Sequence, residues 1–541
     1  MNALAGIVNV DGAPVDREWI WVDGNVGFSQ QPFTLDGNVW LVADARIDGA
    51  GQLSGEEAIL RAYEKSGAEC VDHLIGDFAF VIWDKRLRRL FCARDHFGVK
   101  PFFYAHAGNS LIFSNSLNEL RRDPLVSDEL NETAVGDYLV LGLNQDLSST
   151  IFRDIQRLPA GHTLSLANGV ITTRHYWAPA VKNEIRFRHP QSYVDRFNEL
   201  FATAIKDRLP TKRVSISMSG GLDSTSIAAV ACELLQEPSV VHGYSNVYDK
   251  LIPDEERLYS TLAASHIGIP IHHNAADKYE LFEERRPGDL NQPEPFLISP
   301  FSGQFHDLLR LMTANGAVAL TGYDGDALLN EPRRRSYARR KASQLKAWVK
   351  GKPAEKFSYP KWLDESFARR INLVDRVRNA WLEPTGIDLR RPATLHALHS
   401  KVWAPLFEGY DPGATRLPLE VRHPFIDVRL VDYVLSIPAD PWCVNKHLLR
   451  CAMKDRLPAA VVNRPKSSLA GNPALQLSRR ASVRWLDNFE ASPQLNRFVN
   501  LSLRRSLTEE KTPDVLWANL RLFAFNHWLT HSLRIDRRLV A

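Results

Sequence analysis

The sequence lacks any long hydrophobic run, and no stretch reaches the about 18 apolar residues that a membrane-spanning helix needs. Its first residues have neither the basic segment nor the apolar core of a secretory signal. Only five cysteines occur among 541 residues, and no two of them form a Cys-x-x-Cys pair. These absences argue against a disulfide framework and a structural zinc site, and they predict a cytoplasmic protein with reduced thiols.

A strong charge of either sign is also absent. The chain has 67 Lys and Arg against 63 Asp and Glu, a net charge of +4. This balance gives no indication of nucleic acid as a partner. Hydrophobic residues make up 44% and charged residues 24%, which is typical of folded proteins. A chain of 541 residues exceeds one ordinary core, so the length predicts at least two large domains.

The first part of the chain, residues 1–178, carries apolar runs of strand length separated by turns. Runs at 110–114 and 162–167 are examples, and Asn168-Gly169 after the second run is a strong hairpin signal. One helix interrupts the strands: it begins at the capping residue Ser54 and ends at Gly67. The pattern predicts an α+β domain with much antiparallel sheet.

The pattern changes in the rest of the chain. Residues 179–190 are polar and lack a period, which predicts a linker. From 191 to 541 strands alternate at first with helices of about 12 to 15 residues, which is typical of a parallel, doubly wound sheet. After Arg333 the sequence becomes mostly helical in character. The chain therefore divides into a first domain, a short linker and a larger α/β domain.

A loop with phosphate-binding chemistry follows a buried strand that ends at Met218. Its sequence is Ser219-Gly220-Gly221-Leu222-Asp223-Ser224. Glycines at a strand-to-helix turn let backbone N–H groups approach phosphate oxygens, and the helix N-terminus adds partial positive charge. The serine hydroxyls supply further donors. No Gly-Lys-Ser/Thr follows, which excludes the Walker loop. The segment instead resembles the pyrophosphate loop of ATP pyrophosphatases, which bind ATP and release pyrophosphate.

A second polar segment, Thr321-Gly322-Tyr323-Asp324-Gly325-Asp326, ends another predicted strand. Ligands bind at the carboxyl edge of open α/β sheets, where this segment and the first loop would meet. Carboxylates together with substrate phosphates are the usual ligands of Mg²⁺. We therefore expect Asp223 and Asp326 to hold Mg²⁺ with ATP, and Met218, Ser219, Gly220, Gly221, Asp223, Ser224, Thr321 and Gly322 to bind the nucleotide.

Several motifs together resemble the asparagine synthetase superfamily over nearly the whole chain. Residues 76–80 (Gly-Asp-Phe-Ala-Phe), 93–101 (Ala-Arg-Asp-His-Phe-Gly-Val-Lys-Pro) and 157–161 (Arg-Leu-Pro-Ala-Gly) are similar to its N-terminal glutaminase-type domain. Residues 420–427 (Glu-Val-Arg-His-Pro-Phe-Ile-Asp) are similar to its synthetase signature. The resemblance implies an Ntn-type αββα sandwich in residues 1–178. It also implies an α/β ATP-pyrophosphatase domain, of the adenine nucleotide α hydrolase-like class with a helical C-terminal part, in residues 191–541.

The chain departs from the family at the glutaminase nucleophile. The family has a cysteine directly before Gly-Ile, and here Ala5 precedes Gly6-Ile7. An alanine methyl group cannot attack an amide. The family's Asn-Gly-Glu stretch, which holds glutamine, is also missing from residues 42–46 (Val-Ala-Asp-Ala-Arg). We therefore expect that the nitrogen nucleophile is an amine other than one released from glutamine.

Two branches of the family lost the glutaminase and kept the ATP chemistry: β-lactam synthetases and lasso peptide cyclases. Thr321-Gly322-Tyr323 resembles these branches, as do 445–450 (Asn-Lys-His-Leu-Leu-Arg) and 463–466 (Asn-Arg-Pro-Lys). Residues 407–425 favour the lasso cyclases. That resemblance implies a precursor peptide as substrate, with a leader-peptide recognition protein and a leader protease as partners.

The same resemblance implies roles for three catalytic residues. Tyr323 is similar to the tyrosine of a Tyr–Glu pair that takes the proton of the attacking amine. Glu408 is the expected partner by counting back from Asp427, and Glu420 is the alternative. Lys466 resembles the lysine that stabilises the oxyanion and the adenylate phosphate.

Three other functions remain open from the sequence: an ammonia-dependent asparagine synthetase, a β-lactam-forming ligase and a tRNA-modifying ATP pyrophosphatase. Tyr323 argues against the first, because asparagine synthetases carry Ser-Gly-Glu at this place. The last would need a suitable thiol or a nucleic-acid surface. Residues 333–356 contain ten Lys and Arg against one Glu, a charge that favours either an acidic peptide or a solvated helix.

Overall fold

The computed structural model describes residues 4–16, 18–210, 212–284, 286, 292–295, 299–333, 359–381, 388, 390–465, 471–503 and 513–531. All structural statements below concern these residues. Lys466 and nearly all of the basic segment 333–356 lie outside them. The predicted roles of both therefore stay predictions.

The N-terminal half of the described chain contains two six-stranded sheets whose pairs are antiparallel. The strand order is β10-β8-β9-β1-β3-β2 in one sheet and β12-β11-β7-β6-β5-β4 in the other. The strands are β1 Ala5–Asn9, β2 Trp21–Asp23, β3 Val26–Phe28, β4 Phe33–Thr34, β5 Val39–Ile47, β6 Gly76–Asp84, β7 Arg89–Arg94, β8 Phe103–Ala107, β9 Ser110–Ser114, β10 Ile155–Arg157, β11 His162–Ala167 and β12 Val170–His175.

Three helices complete the layers of this half: α1 Gly55–Ser66, α2 Leu117–Arg122 and α3 Glu132–Leu141. One apolar core lies between the two sheets and contains Phe28, Val81 and Phe113. A second core joins the outer face of the β5–β6–β7 sheet to α1, and a third joins the other sheet to α2 and α3. The expected αββα sandwich is confirmed.

Helix α1 begins and ends where the sequence predicts. The Ser54 hydroxyl accepts a hydrogen bond from the Glu57 N–H at 3.1 Å, and Gly67 ends the helix with φ of 57°. A residue with a side chain would be strained in that left-handed conformation. Strands β9 and β11 also have the predicted bounds, because alternating apolar residues and turn residues define them locally.

The C-terminal half is built around a five-stranded sheet of order β15-β14-β13-β16-β17, in which all described pairs are parallel. The predicted α/β domain is confirmed. Its strands are β13 Val214–Ser217, β14 Val241–Val247, β15 Ile271–Ala275, β16 Val318–Thr321 and β17 Glu420–Arg422. Its first helices are α4 Pro190–Lys206, α5 Leu222–Leu235, α6 Glu256–Ile267, α7 Ser302–Asn315 and α8 Gly325–Leu329.

The remaining described helices follow, and the predicted helical character of this part is confirmed. They are α9 Glu365–Arg370, α10 Leu373–Trp381, α11 Pro392–Leu398, α12 Trp403–Tyr410, α13 Pro412–Thr415, α14 Val428–Ser436, α15 Ala439–Trp442, α16 His447–Ala452, α17 Ala459–Val462, α18 Pro473–Ser478 and α19 Pro513–His531. Short 3₁₀ helices lie at Gly67–Asp72, Pro238–Val240, Ala276–Lys278, Ser299–Phe301, Ala481–Asn488, Leu495–Arg497 and Leu501–Leu503.

The last helices pack on the N-terminal half, a contact that no sequence pattern predicted. Phe367, Phe525 and Trp528 belong to the same apolar core as Tyr138 of α3. The outer helical layer of the sandwich is therefore covered by helices α9, α10 and α19. Residues 179–190 also lie against the C-terminal half, since the Ile185 N–H donates to the Ser436 carbonyl at 2.7 Å.

Among the described residues no helix has the length and apolar character needed to cross a bilayer. The five cysteines are free thiols; Cys451 is partly exposed and the other four are buried. This agrees with the absence of a disulfide framework expected from their spacing.

Four buried histidines make the stability of the protein dependent on pH. Burial lowers the pKa of His96, His306, His423 and His527 to about 4. An unfolded histidine titrates near 6.5, so between about pH 6.5 and 4 the unfolded chain binds more protons than the folded one. Each of these histidines should therefore lower the free energy of unfolding as the pH falls through this window, by up to about 1.4 kcal/mol per pH unit. Buried carboxyl groups act in the opposite direction, since burial raises the pKa of Asp95 to about 6 and that of Asp411 to about 7. Calorimetry of the wild type and His527→Gln between pH 7.5 and 5 isolates the histidine contribution: the wild type should lose more stability than the variant, and equal losses would contradict the expectation.

Candidate functional site

Two adjoining cavities lie at the carboxyl edge of the parallel sheet, with volumes of about 860 and 910 Å³. Both touch Ser217, Ser219, Glu256, Tyr323 and Arg464, so they form one two-lobed site. Pockets that bury a drug-sized ligand usually measure about 300–1,000 Å³. Each lobe by itself therefore has room for a molecule of that size. We call the 860 Å³ lobe the loop cavity and the 910 Å³ lobe the aromatic cavity.

The loop cavity lies where the strand order of the sheet reverses, between β13 and β16. The loop after β13 supplies Ser219, Gly221, Asp223 and Ser224 to its wall. The two serine hydroxyl oxygens are 3.2 Å apart, at the N-terminus of α5. This arrangement places hydroxyl donors and a helix N-terminus at one spot, which suits a phosphate.

Two residues of the same loop that were predicted to bind the nucleotide, Met218 and Gly220, do not direct their N–H groups into the cavity. The Met218 side chain is fully buried, and its N–H donates to the Tyr244 carbonyl at 2.8 Å. The Gly220 N–H donates to a carboxylate oxygen of Glu256 at 2.6 Å. In this structure both backbone donors are therefore bonded within the protein.

Glu256, at the first residue of α6, links the loop to Arg464. Its second carboxylate oxygen lies 3.1 Å from an Arg464 nitrogen, and the Arg464 guanidinium lies 4.1 Å from the centre of the Tyr259 ring. An additional Cβ at Gly220 would lie 2.4 Å from the Tyr259 Cβ. The glycine is therefore required by the close approach of α6.

The second predicted segment, residues 321–326, lies directly against the first loop. A Cβ at Gly322 would be 2.8 Å from the Ser224 nitrogen, and one at Gly325 would be 2.5 Å from the Asp223 carboxyl carbon. The Thr321 hydroxyl forms a 2.7 Å hydrogen bond with His423. The two segments that the sequence singled out are thus brought together, and the glycines permit this contact.

Lys446 joins the two carboxylates that were predicted to hold Mg²⁺. Its ammonium nitrogen lies 2.6 Å from Asp223 Oδ2 and 2.7 Å from Asp326 Oδ1. No cluster of three or more His, Cys, Asp or Glu that could hold a metal occurs among the described residues. Two carboxylates beside a phosphate site nevertheless fit Mg²⁺, which commonly binds one or two carboxylates and completes its shell with phosphate oxygens and water.

Tyr323 lies at the junction of the two lobes and is 38% exposed. Its hydroxyl forms a 3.0 Å hydrogen bond with the hydroxyl of Tyr410, the last residue of α12. Tyr410 packs between the rings of Phe305 and His423. Burial raises the pKa of Tyr410 well above its usual range, so this hydroxyl keeps its proton and can donate it to the Tyr323 oxygen.

The structure does not form either expected Tyr–Glu pair. The Glu408 carboxylate is buried and bound by Arg94 at 3.1 Å and Arg157 at 2.7 Å. Glu420 is bound by Arg422 at 2.6 Å and lies 3.4 Å from the Lys100 ammonium. Positions 408 and 410 are two residues apart, about 200° around a helix, so Glu408 and Tyr410 point to opposite sides of α12. The residue of α12 that contacts Tyr323 in this structure is therefore Tyr410, and Glu408 lies on the opposite side of the helix.

The N-terminal position at which the resemblance expects a cysteine is Ala5 of β1. Next to it, the Leu4 N–H donates to Asn115 at 3.0 Å, and the Asn115 amide donates to Asp44 at 3.2 Å. The Asp44 carboxylate also lies 2.8 Å from the Lys100 ammonium. Polar groups around this position are bonded to one another, and no thiol is present to attack an amide.

Lys446, Glu256, Arg464 and Tyr410 were not predicted as site residues. Lys446 and Arg464 lie inside the two C-terminal segments that resemble the cyclising branches. Their positive charge within segments that resemble the cyclising branches is the sequence signal for both. Glu256 and Tyr410 carry no comparable signal, because their roles depend on contacts with Gly220 and Tyr323, 36 and 87 residues away.

We expect Lys446→Met to lower the unfolding temperature of the ligand-free protein by about 3 °C, because Asp223 and Asp326 would lose the cation between them. Added MgCl₂ should restore most of this loss in Lys446→Met. Thermal unfolding with and without MgCl₂ measures both effects. Lys454→Met, at an exposed position after α16, is the matched control. Equal unfolding temperatures of Lys446→Met and the wild type, or no response to MgCl₂, would contradict the expectation.

Together the fold and this site define an ATP-dependent carbon–nitrogen ligase. The chain belongs to the asparagine synthase family: the family model described as "Asparagine synthase" matches residues 196–530, more than half of the chain. The model described as "Glutamine amidotransferase domain" matches residues 51–177. These matches confirm the resemblance read from the motifs.

Curated relatives include two proteins of Bacillus subtilis (strain 168). Glutamine-hydrolyzing asparagine synthetase 3 is 26% identical and is matched over 76% of this chain and 70% of its own length. Glutamine-hydrolyzing asparagine synthetase 2 is 25% identical, over 86% of this chain and 68% of its own. A solved structure of the B. subtilis glutamine PRPP amidotransferase, complexed with ADP and GMP, matches 59% of this chain and 75% of its own at 12% identity. Its TM-score of 0.21 is too low to support an argument.

Proposed function

We propose that the protein is a ring-closing ligase of the lasso peptide cyclase type. It would use ATP to adenylate an Asp or Glu side chain of a precursor peptide and then join that carbonyl to the peptide's N-terminal amine. The observation that carries the proposal is the aromatic cavity, which opens beside the loop cavity and shares Tyr323 with it. At about 910 Å³ it is far larger than a single small amino acid requires.

The charges of the aromatic cavity also favour a peptide over a free amino acid. Among its described lining residues Arg464 is the one cation, and Arg464 is already paired with Glu256. A free amino acid would bring an α-carboxylate, and the three acidic residues Asp254, Glu255 and Glu256 that line the same cavity would repel it. The peptide bonds on both sides of an internal Asp or Glu remove that charge. Tyr244, Phe305 and Tyr410 offer apolar contacts instead.

Adenylation would take place in the loop cavity. The substrate carboxylate attacks the α-phosphorus of ATP in line with the departing pyrophosphate, and AMP becomes attached to the acyl group. Ser219, Ser224 and the N-terminus of α5 donate toward the phosphate oxygens. Mg²⁺ held by Asp223 and Asp326 would neutralise phosphate charge, and Lys446 adds a fixed positive charge beside both carboxylates.

Ring closure would follow at the junction of the two lobes. The N-terminal amine of the peptide attacks the acyl carbon, and the Tyr323 oxygen takes up the amine proton while its own hydroxyl proton passes to the departing AMP phosphate. AMP leaves with the electrons of the acyl–oxygen bond. Tyr410 donates to the Tyr323 oxygen and stabilises it while the proton moves. The family resemblance assigns Lys466 to the oxyanion and the adenylate phosphate.

The resemblance extends the proposal to the surroundings of the enzyme. A precursor peptide, a leader-peptide recognition protein and a leader protease are the proposed partners, and the cytoplasm is the proposed location. No nucleic-acid partner is proposed. The N-terminal domain, which has Ala5 in place of a nucleophile, would act as a structural support.

A second candidate function is ammonia-dependent asparagine synthesis. It is favoured by the names of the curated relatives, both of which are asparagine synthetases. Ala5 requires that free ammonia replaces glutamine in this case. Tyr323 and the size of the aromatic cavity argue against it. Tyr323 is compatible with a β-lactam-forming ligase as well as with a peptide cyclase. The β-lactam-forming ligase would use a smaller substrate than the aromatic cavity can hold.

Mass spectrometry tests the proposal directly. The full chain is incubated with ATP, Mg²⁺ and a lasso-type precursor peptide, together with the recognition protein and protease that match the leader of that peptide. We expect the core peptide to lose one water while AMP and pyrophosphate form. Aspartate with ammonia, and aspartate with glutamine, serve as competing substrates. Asparagine formation without any change in peptide mass would overturn the proposal and support the second candidate.

A further inference from the structure

Helix α12, Trp403–Tyr410, connects the N-terminal domain to the proposed catalytic tyrosine. On one side its Glu408 carboxylate accepts hydrogen bonds from Arg94 and from Nε and Nη2 of Arg157, the latter two at 2.7 and 2.9 Å. On the other side its Tyr410 hydroxyl bonds the Tyr323 hydroxyl at 3.0 Å. One short helix thus carries both contacts.

The arginine side of this connection is rigid. Arg94 has no exposed surface and donates to the carbonyl oxygens of Gly98, Lys100 and Leu158 at 2.7–2.9 Å. These three backbone acceptors fix the plane of its guanidinium independently of Glu408. Gly98, at φ of +72°, lets the chain turn closely around the guanidinium carbon. The carboxylate therefore accepts one hydrogen bond, at 3.1 Å, from a guanidinium whose orientation is already fixed. The bidentate contact, the stronger geometry, comes from Arg157.

Arg157 is held with similar completeness. It donates to the Ser149 carbonyl at 2.6 Å and to Glu294 at 2.5 Å in addition to Glu408. Its guanidinium lies 5.5 Å from the centre of the Phe103 ring. Both arginines belong to the N-terminal domain, and Glu408 belongs to the synthase domain. A shift of α12 away from the arginines would leave buried charges without a partner, which is strongly unfavourable.

We propose that the amidotransferase-like domain sets the position of the Tyr323 hydroxyl through Glu408 and Tyr410. In this inference Glu408 and Tyr410 are positioning residues, and the domain without a glutaminase nucleophile keeps a role in the reaction. The inference rests on the proposed function only for the catalytic role of Tyr323 in ring closure. The mechanical connection itself is a property of the ligand-free protein, so it can be tested without any substrate.

Fluorine NMR of the full, ligand-free chain with fluorotyrosine at position 323 tests the connection. We expect Tyr410→Phe to move the fluorine resonance, because the hydroxyl contact is lost. Glu408→Gln should move or broaden it as well, because α12 loses its charged anchor. Arg376→Gln is the matched control: it removes another pair between the domains, with Asp137 at 2.5 and 2.9 Å, that has no contact to α12. That variant should leave the resonance unchanged.

A wild-type fluorine resonance in folded Glu408→Gln would overturn the inference, and so would an equal shift in Arg376→Gln. If Glu408→Gln does not fold, Arg157→Lys replaces it. That substitution keeps the positive charge at position 157 and loses the bidentate contact with Glu408. The fluorine resonance at position 323 is again the measurement. An unchanged resonance in Arg157→Lys would then overturn the inference.

Kinetics give a second measurement once a peptide substrate is in hand. Tyr410→Phe should lower kcat of ring closure about tenfold while the KM for ATP stays within twofold, since a positioning hydrogen bond to a reacting group is lost. A purely structural role of Tyr410 would instead change KM and thermal stability together. Failure of the peptide assay would count against the proposed function, whereas the fluorine experiment decides the present inference independently.

Discussion

Replacing Asp223 by Asn is expected to reduce ATP–pyrophosphate exchange by at least about 10³-fold, and Asp326→Asn should have a similar effect. Both carboxylates lie within 2.7 Å of the Lys446 ammonium and beside the phosphate loop. Asparagine keeps the shape of the side chain and removes the charge that Mg²⁺ and Lys446 require. Metal-assisted charge stabilisation at phosphate oxygens contributes several kcal/mol, and about 4 kcal/mol corresponds to 10³-fold. Isotope exchange between pyrophosphate and ATP, measured with the peptide present, reports this step alone.

Glu255→Gln is the matched control for the two aspartate variants. Glu255 is exposed and lines the aromatic cavity, so its variant removes one negative charge from the same site without touching the phosphate loop. We expect its exchange rate to stay within threefold of the wild type. Exchange by Asp223→Asn within tenfold of the wild type would show that the loop cavity is not where the nucleotide reacts.

The phosphate loop and the segment 321–326 could be predicted because their signals are local. Glycine, serine and aspartate within six residues at a strand-to-helix turn indicate a phosphate-binding loop. Helix α5, Leu222–Leu235, begins within this loop because an apolar run follows the two glycines directly. The parallel sheet follows from alternating strands and helices and the rule that parallel strands need crossover connections.

Long-range contacts could not be predicted in the same way. Arg94 and Glu408 are 314 residues apart, and no composition or spacing rule connects them. The sequence suggested that Glu408 serves Tyr323, and the structure instead assigns Glu408 to two arginines and gives Tyr323 a tyrosine partner. The packing of α19 against α3 is a further example, because a helix that is apolar on many sides does not reveal its neighbour.

Loss of the N-terminal nucleophile and retention of the domain have a common physical explanation. The domain contributes buried arginines to pairs that cross to the synthase half, and its outer helical layer forms a shared core with α9, α10 and α19. Removing it would expose apolar surface on both halves and leave Glu408 without its arginines. Stability and the geometry of α12 therefore favour retention of the domain independently of glutamine hydrolysis.

The second large effect is expected for Tyr323→Phe, which should lower the rate of ring closure by about 10²- to 10⁴-fold and leave ATP–pyrophosphate exchange within about threefold of the wild type. The variant removes one oxygen atom at the junction of the two lobes, where the amine proton must be accepted. The phosphate loop does not depend on that oxygen, because the Tyr323 hydroxyl bonds Tyr410 and not Ser219, Asp223 or Ser224. Adenylation and closure should therefore separate, and the acyl-adenylate should accumulate and hydrolyse to the linear peptide.

Rapid quenching followed by mass spectrometry distinguishes these outcomes in Tyr323→Phe. Linear peptide with AMP released in excess over cyclic product is the expected pattern, and the wild type should give one AMP for each ring. Tyr244→Phe is the matched control, since Tyr244 lines the aromatic cavity and its hydroxyl bonds Ser215, not Tyr323. If Tyr323→Phe closes the ring at the wild-type rate, the proton passes to another group. If exchange and closure fall by the same factor, Tyr323 acts in binding and not in the closure step.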